Sequence, residues 1–186
     1  MSKLPYDKRH LKFGNSSAVL DPKTLGLLQN FAPDFSKVLY DTDIAAQFCD
    51  KYRSWIKTST QNSFKGLEQY PYACYSNGTT EAFDRFYAKN GNCRFRCFRG
   101  EYMYHQLSWR NNYTWEFIED DEISQGDAVV ISLPFSDTGN KHVQMDEVLD
   151  RCSELGVPVL VDCAYFGICN GIEFDLTHSC ITDVVF

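Results

Sequence analysis

Apolar residues fall along this chain in two rhythms, and the change from one to the other marks the elements. From about Ile44 to Lys57 the positions Ile44, Phe48, Tyr52, Trp55 and Ile56 recur at helical spacing, with Thr42 and Asp43 placed to cap the first turn. A short apolar run, Tyr72 to Tyr75, predicts a strand. Ser76-Asn77-Gly78-Thr79-Thr80 then predicts a turn that opens a second helix, Glu81 to Lys89. Cys93 to Phe98 alternates Arg with Phe and Cys, and Tyr113 to Glu119 alternates aromatic with polar residues, both at the period of a strand. The apolar run Ala128 to Leu133 carries the mark of a strand covered on both faces. Met145 to Leu155 returns to helical spacing and is stopped by Gly156; Val157 to Val161 and Cys180 to Phe186 read as two further strands.

Buried strands alternating with helices predict βαβ units, hence an α/β fold with a mainly parallel sheet flanked by helices in three αβα layers. Residues 1–40, rich in Ser, Pro, Asp and Asn, read as an irregular segment ahead of this unit, which occupies 41–186. In parallel sheets ligands gather at the carboxyl ends of the strands. The residues following each strand therefore become the candidates for function.

Composition narrows the classes. With 44% apolar residues the chain has enough material for a packed core. A net charge of -7 opposes a nucleic-acid-binding face, which requires a basic surface. No run approaches the ~20 apolar residues of a membrane helix, and the polar stretch Met1 to Lys12 lacks the apolar segment of a secretion signal, so no membrane partner is expected. The eight cysteines (Cys49, Cys74, Cys93, Cys97, Cys152, Cys163, Cys169 and Cys180) include no C-x-x-C pair. They read as reduced, buried thiols of a cytoplasmic protein, not as a zinc site.

Four segments carry candidate chemistry. Asp162-Cys163-Ala164-Tyr165 follows the apolar run ending at Val161, and a carboxylate there needs a partner because an unpaired buried charge is costly. Pro134-Phe135-Ser136-Asp137-Thr138-Gly139 follows Leu133 directly. Asn77-Gly78-Thr79-Thr80-Glu81-Ala82 supplies free backbone N–H groups and a dipole at a helix start, an arrangement that favours an anion. Gly100-Glu101-Tyr102-Met103-Tyr104-His105 places aromatic rings after a strand. Three of the segments also have a plain structural reading: a turn residue at Asp162, an Asp-Thr-Gly turn at 137–139, and helix capping by Thr79 or Thr80.

In their order along the chain the four segments resemble the fold-type I pyridoxal-phosphate (PLP) enzymes of the aspartate aminotransferase superfamily, over roughly Tyr70 to Phe186. The resemblance implies a partial PLP-transferase large domain. Asp162 would face the pyridine nitrogen of the cofactor, Tyr165 and Ser136 its phenolic oxygen, and Tyr102, with Tyr104 as the alternative, the face of its ring. Gly78, Thr79 and Thr80 would receive its phosphate. Ser136 and Asp137 depart from the Asn-Pro of the family loop, which shortens the reach to the phenolic oxygen.

The family's Schiff-base lysine follows a strand like Ile181 to Phe186 and is expected beyond this chain, as is the small C-terminal domain; Lys141 lies in the wrong context. The resemblance implies amino-group transfer between an amino acid and a 2-oxo acid, and a homodimer, in the full-length protein. Other PLP reactions (lyase, decarboxylase, acyltransferase) share the cofactor geometry. Two further readings stay open: a non-catalytic binding or regulatory protein of the same fold, and an unrelated enzyme using Cys163 as nucleophile.

Overall fold

The computed structural model describes residues 10–13, 16–19, 42–74, 76–106 and 112–186. The first two strands, β1 (His10–Phe13) and β2 (Ser16–Val19), pair antiparallel. They correct the expectation of a wholly irregular segment over 1–40. Helix α1 (Thr42–Thr58) follows; the side chains of Ile44 and Phe48 lie outside the described residues. Next come β3 (Ser63–Lys65), α2 (Thr79–Lys89), β4 (Arg94–Cys97), β5 (Trp115–Phe117) and β6 (Asp127–Ser132). The chain continues through α3 (Met145–Leu155), β7 (Val159–Asp162), β8 (Glu173–Asp175) and β9 (Ile181–Val185).

Five strands form one parallel sheet in the order β5-β4-β6-β7-β9. Its centre is legible in composition: every residue of β6 and β7 is buried. Because side chains alternate across a strand, Val129, Ile131, Val159 and Val161 face one side, packing with Ile56 of α1 and Met145, Val148, Leu149 and Cys152 of α3. Ala128, Val130, Leu160 and Val185 face the other, against Phe83, Phe86 and Tyr87 of α2. Burying an apolar side chain of this size contributes about 1.5–3 kcal/mol, so the two faces hold the three layers together. Gly156 ends α3 in a left-handed conformation (φ 67°), as its position predicts.

Two strand expectations change. Tyr72–Cys74 forms no strand, Tyr72 is 93% exposed, and Tyr75 lies outside the described residues. A short apolar run without a sheet neighbour has nothing to pair with. Conversely, β3 pairs parallel with β8, two polar three-residue segments joined through stacked Phe64 and Phe174, with ring centroids 5.6 Å apart.

The amino ends of the central strands are closed by charge. Arg96, fully buried, and Arg94 both donate to Asp127 at the start of β6, at 2.9 and 2.8 Å, and Arg96 also donates to the backbone carbonyls of Phe117, Asp121 and Glu122. Burial pushes the Asp127 carboxyl up, but the bonds from Arg94 and the Ser124 N–H, with the Arg96 charge, leave it below the usual carboxylate range.

Candidate functional site

The order of the sheet locates a crevice by itself. The chain leaves β4 toward β5 on one side and then crosses to β6 on the other. The strand order therefore reverses between β4 and β6, and in open α/β sheets ligands bind outside the carboxyl ends at such a point. The loops at that position are 98–106, after β4, and 133–140, after β6. They touch closely at Gly100 (φ 89°), where an added Cβ would lie 3.0 Å from the Cβ of Asp137 and 3.2 Å from the Phe135 ring.

Asp162 ends β7 in register with Ser132, which ends β6. By alternation both side chains lie on the α2 side of the sheet. Asp162 is 7% exposed. Its Oδ1 accepts the Ala164 N–H at 3.0 Å, and its Oδ2 lies 3.0 Å from His105 Nε2. His105 is itself buried, with Tyr87 Oη of α2 2.8 Å from its Nδ1 and the Phe83 ring edge-on at 4.6 Å. A proton on Nε2 satisfies both contacts, the Tyr87 hydroxyl donating to Nδ1. Tyr87, His105 and Asp162 thus form a chain of hydrogen bonds from the helix to the strand end. It fixes the Asp162 carboxylate while leaving lone pairs on both oxygens.

Tyr102, on the same loop as His105, presents a ring 43% exposed and edge-on to the imidazole at 5.7 Å. Tyr104, the alternative, is committed by its hydroxyl to Asp84 Oδ1 at 2.7 Å. Ser136 joins the same cluster from the loop after β6: its Oγ lies 3.1 Å from Ser132 Oγ and 3.4 Å from Glu101 Oε2. Asp162, Tyr102 and Ser136, which are far apart in sequence, are therefore brought to one place.

The other predicted residues are held more loosely. Tyr165 sits on the turn after β7 with its ring 51% exposed. Gly78 (φ 93°) precedes α2, and Thr79 and Thr80 open it. Since α2 runs back toward the start of β4, its amino end lies at the carboxyl edge, and Phe83, one turn further along, packs against His105. Glu81 already uses this helix start: its carboxylate accepts the Asn77 N–H at 2.7 Å and pairs with Arg85, and both hold it below its ordinary range.

The nucleophile alternative loses its footing. Cys163 is completely buried in the core on the far side of the sheet, and burial pushes its thiol well above the ordinary range, the reverse of an activated nucleophile. Lys141 is paired with Asp146 at the start of α3. Among the eight cysteines Cys97, Cys152, Cys163 and Cys180 are buried, Cys74 is exposed and none forms a disulfide. Among the described residues no group of His, Cys, Asp and Glu is arranged to hold a metal ion, and no helix is long and apolar enough to cross a membrane.

Sequence reasoning missed Tyr87, Glu101, His105 and Ser132. Ser132 carried a signal, being the one polar residue inside the apolar run Ala128 to Leu133, and a buried hydroxyl must find a partner. No family model matches this chain, and neither a curated protein nor a solved structure matches it.

Proposed function

We propose that the crevice at the carboxyl edge holds pyridoxal 5'-phosphate and that this chain is the cofactor-binding part of an aminotransferase-like enzyme. The observation that carries the reading is Asp162, a carboxylate fixed at a strand end by His105 and the Ala164 N–H, with acceptor capacity left over and the exposed Tyr102 ring alongside. Among the described residues the cluster is rich in acceptors and carries no lysine or arginine, so it favours a ligand that brings its own protonated nitrogen.

The donor set fits the group. Asp162 would accept the ring N–H and keep the proton there, while His105 and Tyr87 prevent the carboxylate from rotating away. Tyr102 offers a flat face, worth about 0.5–1.5 kcal/mol beyond area burial. The hydroxyls of Ser136 and Tyr165 are the candidates for the phenolic oxygen, and the N–H groups of Gly78, Thr79 and Thr80 for the phosphate. When bound, the cofactor supplies an electron sink for the carbanion of an amino-acid substrate. Transfer of the amino group to a 2-oxo acid, and a homodimer that completes the site, belong to the same reading.

The test compares non-covalent binding of PLP and of its 1-deaza analogue, which lacks the ring nitrogen, by quenching of tryptophan fluorescence. A charge-assisted hydrogen bond contributes about 1.5–3 kcal/mol, so Asp162→Ala is expected to weaken PLP about tenfold or more and to leave the analogue unaffected. Equal affinity of the unsubstituted chain for both compounds would refute the assignment of Asp162.

A further inference from the structure

One titratable side chain inside this edge has no task in the cofactor reading. Glu101 is 3% exposed, and no Lys or Arg pairs with it among the described residues. Its Oε1 accepts the Ser132 N–H at 2.8 Å, and its Oε2 lies against Ser132 Oγ, with Ser136 Oγ 3.4 Å away. The titratable groups that face it are Asp162 from β7, His105 from its own loop and the Cys97 thiol at the end of β4.

The two carboxyl oxygens meet different demands. At Oε1 an amide N–H requires an acceptor. At Oε2 a serine hydroxyl can serve either way, because its proton rotates. A neutral carboxyl, with a carbonyl at Oε1 and a hydroxyl at Oε2, satisfies both. Burial pushes the Glu101 carboxyl up, with the Asp162 charge adding to it. The bonds from Ser132 oppose this, and the balance is upward.

We propose that Glu101 is a positioning residue that donates from Oε2 to Ser132, and that Ser132 donates in turn to Ser136, so that Ser136 turns its own hydroxyl proton out toward the crevice. An ionised Glu101 would draw both hydroxyl protons inward and leave Ser136 an acceptor. The inference rests on the PLP reading only for what receives the proton, the phenolic oxygen of the cofactor. It accounts for a serine at this position: a short hydroxyl is a donor there only if something behind it fixes its direction.

The experiment has two arms. In the first, the free chain is labelled with ¹³C at the glutamate side-chain carboxyls and titrated by NMR, beside Glu101→Gln. One carboxyl resonance, absent from the variant, is expected to titrate clearly above the ordinary glutamate value of about 4.3. A Glu101 resonance at or below that value overturns the proposal. In the second arm, PLP affinity is followed against pH. Glutamine reproduces the neutral form, accepting from the Ser132 N–H and donating to its Oγ, so Glu101→Gln is expected to keep its affinity through the range where the unsubstituted chain loses it. Ser136→Ala is expected to lie about two- to tenfold weaker at every pH, the loss of one neutral hydrogen bond. A pH dependence unchanged in Glu101→Gln overturns the proposal. A high Glu101 titration with no PLP binding at all removes the cofactor reading and leaves the donor chain standing.

Discussion

His105→Leu is the substitution that tests the architecture of the site most directly. Leucine fills similar space and keeps an apolar contact with Phe83, so the cavity contribution is small. What disappears are two hydrogen bonds, Nε2 to Asp162 Oδ2 at 3.0 Å and Tyr87 Oη to Nδ1 at 2.8 Å. A bond to a charged group contributes about 1.5–3 kcal/mol and a neutral one about 0.5–1.5, so their joint loss amounts to about 2–4 kcal/mol. Against a total stability of about 5–15 kcal/mol that is a large fraction. With a urea dependence of about 2 kcal/mol per molar, the unfolding midpoint should fall by about 1–2 M. Urea titration followed by circular dichroism and tryptophan fluorescence reads it. A cycle with Asp162→Asn isolates the pair: the second substitution should cost about 1–2 kcal/mol less in the His105→Leu background than alone. A midpoint that moves by less than a few tenths of a molar, or strictly additive effects, would show that the bond between His105 and Asp162 does not hold the strand end.

Four further outcomes are expected. Asp127→Ala should destabilise by about 3–5 kcal/mol, measured by urea unfolding, because it leaves the fully buried Arg96 guanidinium without its carboxylate. The folded-state value of the Asp127 carboxyl is lowered, so the stability it contributes is present above the ordinary aspartate range and lost as pH falls through the lowered value. Glu101 is raised, so its share is present below the ordinary glutamate range and lost as pH rises through the raised value, a loss that unfolding curves of Glu101→Gln should not show. Mixing the chain with PLP, reducing with borohydride and mapping by mass should give no stoichiometric adduct on Lys65, Lys89 or Lys141, each of which is paired with a carboxylate. Among the described residues β9 pairs with β7 alone, so light scattering should detect self-association that the exposed-edge substitution Thr182→Lys reduces; a strict monomer at all concentrations would count against an active edge.

The parts of the fold that were legible in sequence are those where the chemistry of burial is local. Val159 to Val161 and the run around Val129 to Ile131 read as strands because a strand covered on both faces has no room for alternation. Helix α3 read correctly because its apolar spacing and the stop at Gly156 agree. The pair β3 and β8 was illegible for the opposite reason. Ser63-Phe64-Lys65 and Glu173-Phe174-Asp175 are polar on either side of one phenylalanine, and only the contact between those rings, 110 residues apart, makes them strands. Tyr72 misled because an aromatic run says nothing about whether a sheet neighbour exists. At the candidate site, Asp162, Tyr102 and Ser136 were singled out through a resemblance, and the fold brings them into one cluster. Glu101, His105 and Ser132 face one another, and nothing in their spacing announces it.

The charged closure at Asp127 and the polar cluster at Ser132 occupy opposite ends of the same strand, five residues apart. At about 3.3 Å per residue that is roughly 16 Å, beyond the distance at which substitutions usually couple. One end of β6 therefore serves as an anchor and the other as a workbench. Changes to the loops at 98–106 and 133–140 can be accumulated, by selection or by design, against a fixed background of stability set at the far end. A library confined to those loops should keep its fold far more often than one of equal size spread across the chain.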